Sequence, residues 1–160
     1  MRSDISPPGC TYEFRDNRKP RAVCGLSSTG VGGLCVWHDT ASRPLGVNLR
    51  EELQREVARP EHWLEGAILS NENLAELSLF RAKLPLADLQ LAVLSNAFLA
   101  EAYLNGANLR GAKLKATILN QAILENAKLD QADMTGEELQ DVELAGASLQ
   151  GTELDGAYVH

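Results

Sequence analysis

From Leu64 to Val159 an apolar residue recurs at every fifth position. Twenty positions fall on this grid; eighteen are Leu, and the other two are Met134 and Val159. Two residues before each grid position runs a second column, Ala at thirteen of its twenty places, among them Ala82, Ala87, Ala92, Ala97, Ala102, Ala107 and Ala112. Polar residues fill most of the remainder. A helix advances about 100° per residue, so leucines five apart would wander around its cylinder and form no stripe. A flat strand alternates faces at every residue, so an odd step would throw successive leucines to opposite sides. A coil that turns a corner every five residues buries the whole grid. Its turns stack at about 4.8 Å and pair backbone to backbone. The place two after the grid residue is often a turn former: Gly66, Asn71, Asn96, Gly106, Gly111, Asn126, Gly136, Gly146, Gly151 and Gly156. The inward column departs from Ala at His62, Glu72, Leu77, Thr117, Glu137, Val142 and Thr152. Glu137 stands out, because an unpaired inward carboxylate is costly. Pro85 lacks a ladder donor and is expected to make its corner irregular. A leucine-rich helical solenoid is the competing architecture, but the strict five-residue step misses its periods.

Segments such as Ala102–Gly106 (AYLNG), Ala107–Gly111 (ANLRG) and Ala127–Gln131 (AKLDQ) resemble the pentapeptide repeat, loosely A-(D/N)-L-x-x. The resemblance covers residues 61–160 and implies an all-β fold: a right-handed quadrilateral β-helix with four pentapeptides per coil, hence about five coils. On that model residues twenty apart stack on one face. One face then carries Trp63, Lys83, Tyr103, Ile123 and Glu143, and its neighbour Ser78, Phe98, Ile118, Glu138 and Tyr158. Phe98, Tyr103, Ile118, Ile123 and Tyr158 are the candidate partner-binding residues, since apolar groups gathered on one side suggest a contact surface. Two other readings stay open. The amino-terminal part could fold back over them, or bulky residues could simply suit a β ladder. The other two faces are mostly polar.

The chain before the grid divides in three. Residues 1–9 read as a loose tail. Residues 10–46 hold every cysteine of the chain: Cys10, Cys24 and Cys35, followed by His38 in the pattern C-x13-C-x10-C-x2-H. Three thiolates and an imidazole make a closed tetrahedral site of the structural zinc type, with no open position for catalysis. Buried free thiols with a surface histidine, another metal, or a redox role are the alternatives. Cys10, Cys24, Cys35, Trp37 and His38 also resemble, more loosely, a Cys-Cys-Cys-x-Trp-His module that precedes pentapeptide repeats in other bacterial proteins. Residues 47–60 form a linker with a helix over 48–59. Asn48 is a good N-cap, Glu51 completes a capping box, and Leu49, Leu53 and Val57 make one apolar stripe ending at Pro60. This helix is expected to cap the first coil.

Charge and composition narrow the function. The 160 residues carry a net charge of −7. Residues 1–60 hold nine basic and seven acidic side chains, whereas residues 61–160 hold six and fifteen. After Lys128 come only acidic charges: Asp130, Asp133, Glu137, Glu138, Asp141, Glu143, Glu153 and Asp155. Such an end repels nucleic acid and attracts a basic protein groove. The cluster Arg15, Arg18, Lys19 and Arg21 has too little aromatic interleaving to signal a nucleic-acid site. No apolar run is long enough to span a bilayer, and no h-region marks a secretory signal. Three cysteines suit a reducing, cytoplasmic setting. No catalytic set stands out, and a filled rod has no cleft, so no enzymatic activity is expected. A rigid scaffold or adaptor for a protein partner is the leading expectation. The family resemblance implies another: some pentapeptide-repeat proteins mimic duplex DNA and bind type II topoisomerases such as DNA gyrase. Members also pair end to end, and the uncovered final coil expected here would suit such a homodimer.

Overall fold

A computed structural model describes residues 37–38, 48–59, 63–137 and 139–157. The chain divides into two compact units, 1–47 and 48–160. In the first, Trp37 and His38 are both buried.

The second unit opens with helix α1, Leu49–Val57. Asn48 caps it as the sequence predicts, its Oδ1 accepting from the Glu51 amide, but the expected capping box is altered: Glu51 Oε1 accepts from Asn48 Nδ2 at 3.0 Å instead of from the Asn48 backbone amide. Leu49 and Leu53 are buried, and the third buried position is Glu56, held by Arg59 at 3.2 Å. Val57 is only half-buried.

From residue 63 the chain winds as a solenoid, five residues to a side and four sides to a coil. Its register is explicit in parallel bridges between residues twenty apart, such as Ser78 to Phe98 to Ile118 and Lys83 to Tyr103 to Ile123 to Glu143. Each side pairs through a single bridge residue, too short a stretch for a continuous strand. The Leu amide donates to the coil ahead, as Leu69 N does to Asp88 O at 2.7 Å, and the amide before the next Leu donates back, as Asp88 N does to Ala67 O at 2.9 Å. Leu and Ala of each side point inward: Leu69, Leu79, Leu84, Leu94, Leu99, Leu104, Ala67, Ala82 and Ala97 have no exposed surface.

The corners are β-turns in which the amide three residues after the Leu donates to the Leu carbonyl, as Ala67 N does to Leu64 O at 3.1 Å. The residue two after the Leu takes positive φ at every described corner from Gly66 to Gly156. Glycine or asparagine serves at ten of these places; at the others Glu76, Arg81, Leu86, Leu91, Glu101, Ala116, Gln121, Gln131 and Asp141 accept the left-handed conformation. Such a residue costs about 1–2 kcal/mol, which persists because hydrogen bonds to both neighbouring coils over-determine the turn. Pro85 does not disturb its corner: Gly66 N still donates to Pro85 O and Leu86 holds φ 57°. It occupies the second turn position, where its fixed φ fits and no ladder donor is needed. At equivalent corners that amide is taken by the Asn or Asp just before the Leu, as by Asn73, Asp88 and Asp133. This accounts for the Asn/Asp preference in the repeat.

The two inward threonines follow one rule, and Glu137 departs from it. Thr117 Oγ1 donates to Leu94 O at 3.0 Å and Thr152 Oγ1 to Leu129 O at 2.8 Å, each reaching the coil before it. Glu137 is fully buried, and neither carboxyl oxygen has a hydrogen-bond partner among the described residues. Burial pushes its pKa up to about 8; the nearby Thr117 amide works against the rise and Asp133 adds to it. It is therefore neutral at pH 7.

The two ends of the solenoid differ. Leu64, Leu69, Leu74 and Leu79 of the first coil are buried. In the last described coil Leu149 is 39% exposed and Leu154 43%.

Candidate functional site

Two adjoining sides of the solenoid carry its exposed aromatics. Phe98 and Ile118 stack on one side, Tyr103 and Ile123 on the next. Phe98, Tyr103 and Ile118 are exposed, and Ile123 is half-buried. The structure thus brings four of the five partner-surface residues to one corner of the rod. Tyr158 lies outside the described residues.

Two further aromatics complete the patch. Trp63, exposed on the same side as Tyr103, approaches its ring at 5.8 Å between centroids. Phe80 stacks on Phe98 at 5.5 Å with planes 19° apart. Phe80 escaped the sequence reading because it sits at a corner, one place after the Leu, where the side-by-side stacking rule does not reach. Its signal was an aromatic at a turn position that is otherwise usually polar or small.

Cations lie over these rings. Arg81 sits 4.9 Å from the Phe80 centroid and Lys83 4.9 Å from that of Trp63, contacts worth about 0.5–1 kcal/mol each when exposed. Arg81 Nε also donates to Glu101 Oε2 at 2.7 Å, one coil on. Where α1 ends beside this corner, a groove of about 800 Å³ opens, lined by Val57, Ala58 and Arg59 from the helix side and Phe80, Lys83 and Tyr103 from the coils.

The opposite end of the solenoid is acidic. Asp130 is held below the usual carboxylate range first by the Ser148 hydroxyl and then by Arg110, whose Nε lies 3.0 Å away. Asp133 is lowered by the Thr135 hydroxyl at 2.6 Å and the Thr135 amide. Both are ionised at neutral pH.

Of the four expected metal ligands, His38 is described and buried, whereas Cys10, Cys24 and Cys35 lie outside the described residues.

Residues 84–121 and 122–158 each match the family model for pentapeptide repeats. A pentapeptide repeat protein, Rfr23, from the cyanobacterium Cyanothece 51142 is 33% identical over 60% of this chain and 63% of its own length, with a TM-score of 0.46. A pentapeptide repeat protein of the Arabidopsis thaliana thylakoid lumen is 27% identical over 65% and 64%, with a TM-score of 0.44. One from Nostoc PCC 7120 is 26% identical over 71% and 95%, with a TM-score of 0.41. The chain thus spans under two thirds of the first two relatives. No curated protein matches it. Residues 84–158 thus carry the pentapeptide-repeat signature, and the four-sided coil is the right-handed quadrilateral β-helix that such repeats imply.

Proposed function

We propose that this protein is a non-enzymatic, rigid adaptor that docks a protein partner on the apolar side of its β-helix. The observation that carries this reading is the gathering of Trp63, Phe80, Phe98, Tyr103 and Ile118, all exposed, at one corner of a rod whose interior is filled. Aromatic groups on a preorganised surface bind with little loss of side-chain freedom, and such residues dominate interface energetics. Phe98→Asp with Ile118→Asp tests it. The double variant keeps the thermal transition of the parent and loses the partner in affinity capture; retention of the same partner would refute the docking face.

A second reading rests on the acidic end, where Asp130, Asp133, Asp141, Glu143, Glu153 and Asp155 follow one another with no intervening Lys or Arg. These coils would act as a DNA mimic toward a type II topoisomerase. Gyrase supercoiling assays decide: inhibition or quinolone protection by the purified protein supports the mimic, and unchanged activity opposes it.

Three structural roles belong to the same proposal. Helix α1 caps the first coil; Arg50 Nη1 lies 3.4 Å from Asn73 O, an acceptor on the face where no earlier coil supplies an amide. The exposed Leu149 and Leu154 favour end-to-end pairing of two copies, and a monomer in sedimentation at micromolar concentration would oppose it. Cys10, Cys24, Cys35 and His38 hold one structural zinc ion. The donor set suits a closed site, and the burial of His38 suits a ligand shielded from water. Elemental analysis should give one zinc per chain, released by chelator as thiols become reactive; metal-free protein with unreactive thiols would contradict it.

A further inference from the structure

We infer that the groove between the end of α1 and the first two coils receives an extended acidic peptide with an apolar side chain, added as a strand at Ser78. The inference rests on the docking reading, since it takes the same corner of the rod as the working surface, and it specifies the chemistry of what docks there.

Three features of the groove select this occupant. The first is an open strand edge. Ser78 bridges forward to Phe98, with Phe98 N bonded to Leu77 O and Leu79 N to Phe98 O. Neither the Ser78 amide nor its carbonyl bonds to another described residue. On the neighbouring side the equivalent carbonyl, Asn73 O, is already taken by Arg50. An exposed amide and carbonyl on one edge residue form a template for an added strand.

The second is an apolar seat beside that edge. Phe80, Tyr103, Val57 and Ala58 line a volume of about 800 Å³, within the usual range for ligand sites. In an extended peptide alternate side chains point the same way. One large apolar residue therefore lies over Phe80 while its neighbours point to the rim.

The third is charge. Among the described residues the groove is lined by Arg59, Arg81 and Lys83 against Glu101, which pairs with Arg81, while Glu56 pairs with Arg59 from just outside it, leaving the cations in excess. Arg59 is more than half exposed, as is Arg81. The repeat region as a whole carries fifteen acidic and six basic side chains. A short acidic peptide is thus repelled by most of the rod and attracted at this island, so charge sets its position as well as its affinity. A nucleic acid is disfavoured, because its phosphates would run past the island onto the acidic walls.

The test uses a fluorescein-labelled nine-residue peptide alternating Glu and Phe, titrated with the full chain by anisotropy. The same peptide with Lys for Glu, and a labelled twelve-residue oligothymidine, are the comparison probes. The Glu/Phe peptide should bind, with affinity falling as salt rises. Arg59→Glu with Lys83→Glu should weaken it by about tenfold or more, and Lys113→Glu with Lys128→Glu, on the other two faces, should leave it unchanged. Equal loss in both double variants, equal binding of the Lys/Phe peptide, tighter binding of the oligothymidine, or no binding would each overturn the inference. Circular dichroism melts confirm that both double variants are folded. The Phe98→Asp, Ile118→Asp variant separates this failure from that of the broader reading. If it still loses its partner while the wild-type groove ignores the peptide, the groove assignment fails alone.

Discussion

Replacing Glu137 by Gln removes the buried ionisable group of the solenoid interior without changing its shape. The carboxyl has no exposed surface, and its pKa lies at about 8 against 4.5 for an exposed glutamate. Between those values the unfolded chain has lost the proton that the folded chain still binds, so stability falls as pH rises. The contribution is fully present below pH 4.5 and gone above pH 8. That window spans about 3.5 pH units at about 1.4 kcal/mol each, or up to about 5 kcal/mol in all and about 3 by pH 7. The variant lacks this slope. Urea unfolding followed by circular dichroism between pH 5 and 8.5 should show the two proteins diverging steadily, the Gln variant gaining on the parent with each unit. Parallel pH profiles would refute the reasoning and place the carboxyl in contact with water or a partner.

Other substitutions test the remaining structural claims. Glu137→Thr should raise stability at pH 7 by about 1–3 kcal/mol, its hydroxyl reaching Leu114 O as Thr117 reaches Leu94 O; an unchanged unfolding midpoint would oppose the inward-column rule. Leu104→Ala, at a site with no exposed surface, should cost about 2–5 kcal/mol in urea unfolding, whereas a cost below about 1 kcal/mol would mean a loosely packed axis. Gly111→Ala should cost about 1 kcal/mol or more, because φ is +62° and the new Cβ would lie 2.8 Å from Leu91 Cδ2. Adding Leu91→Ala should recover the part due to the clash and leave the part due to φ. Full recovery would show that the backbone conformation is unstrained.

The solenoid was legible because its signal is periodic. Leucine at a fixed step leaves few ways to bury the chain, and the same step yields the register, so Tyr103 could be placed over Lys83 before any coordinates. The Asn48 N-cap was legible for a similar reason, as a local side-chain-to-amide bond with a known spacing. What could not be read follows from the corners. Leu86, Leu91 and Arg81 have no intrinsic preference for positive φ; neighbouring coils impose it. Phe80 projects from such a corner, so its meeting with Phe98 and the opening of a groove against α1 depend on turn geometry and helix placement. The harmlessness of Pro85 likewise required knowing which amide each corner leaves out of the ladder. Glu137 was visible as an anomaly, but that its carboxyl has no hydrogen-bond partner among the described residues emerged only from the packing around it. The stacking rule placed Phe98, Tyr103 and Ile118 on adjoining exposed sides, but it did not reach Phe80 or the cations that lie over the rings.

The docking face itself is tested most directly by site-specific photo-crosslinking in the native host. A photoreactive residue at position 98 or 103 should capture one and the same protein, while the same residue at 113 or 128 on the polar sides should capture none. Capture from all four positions alike, or from the polar sides alone, would contradict the assignment of the aromatic corner as the surface through which this protein works.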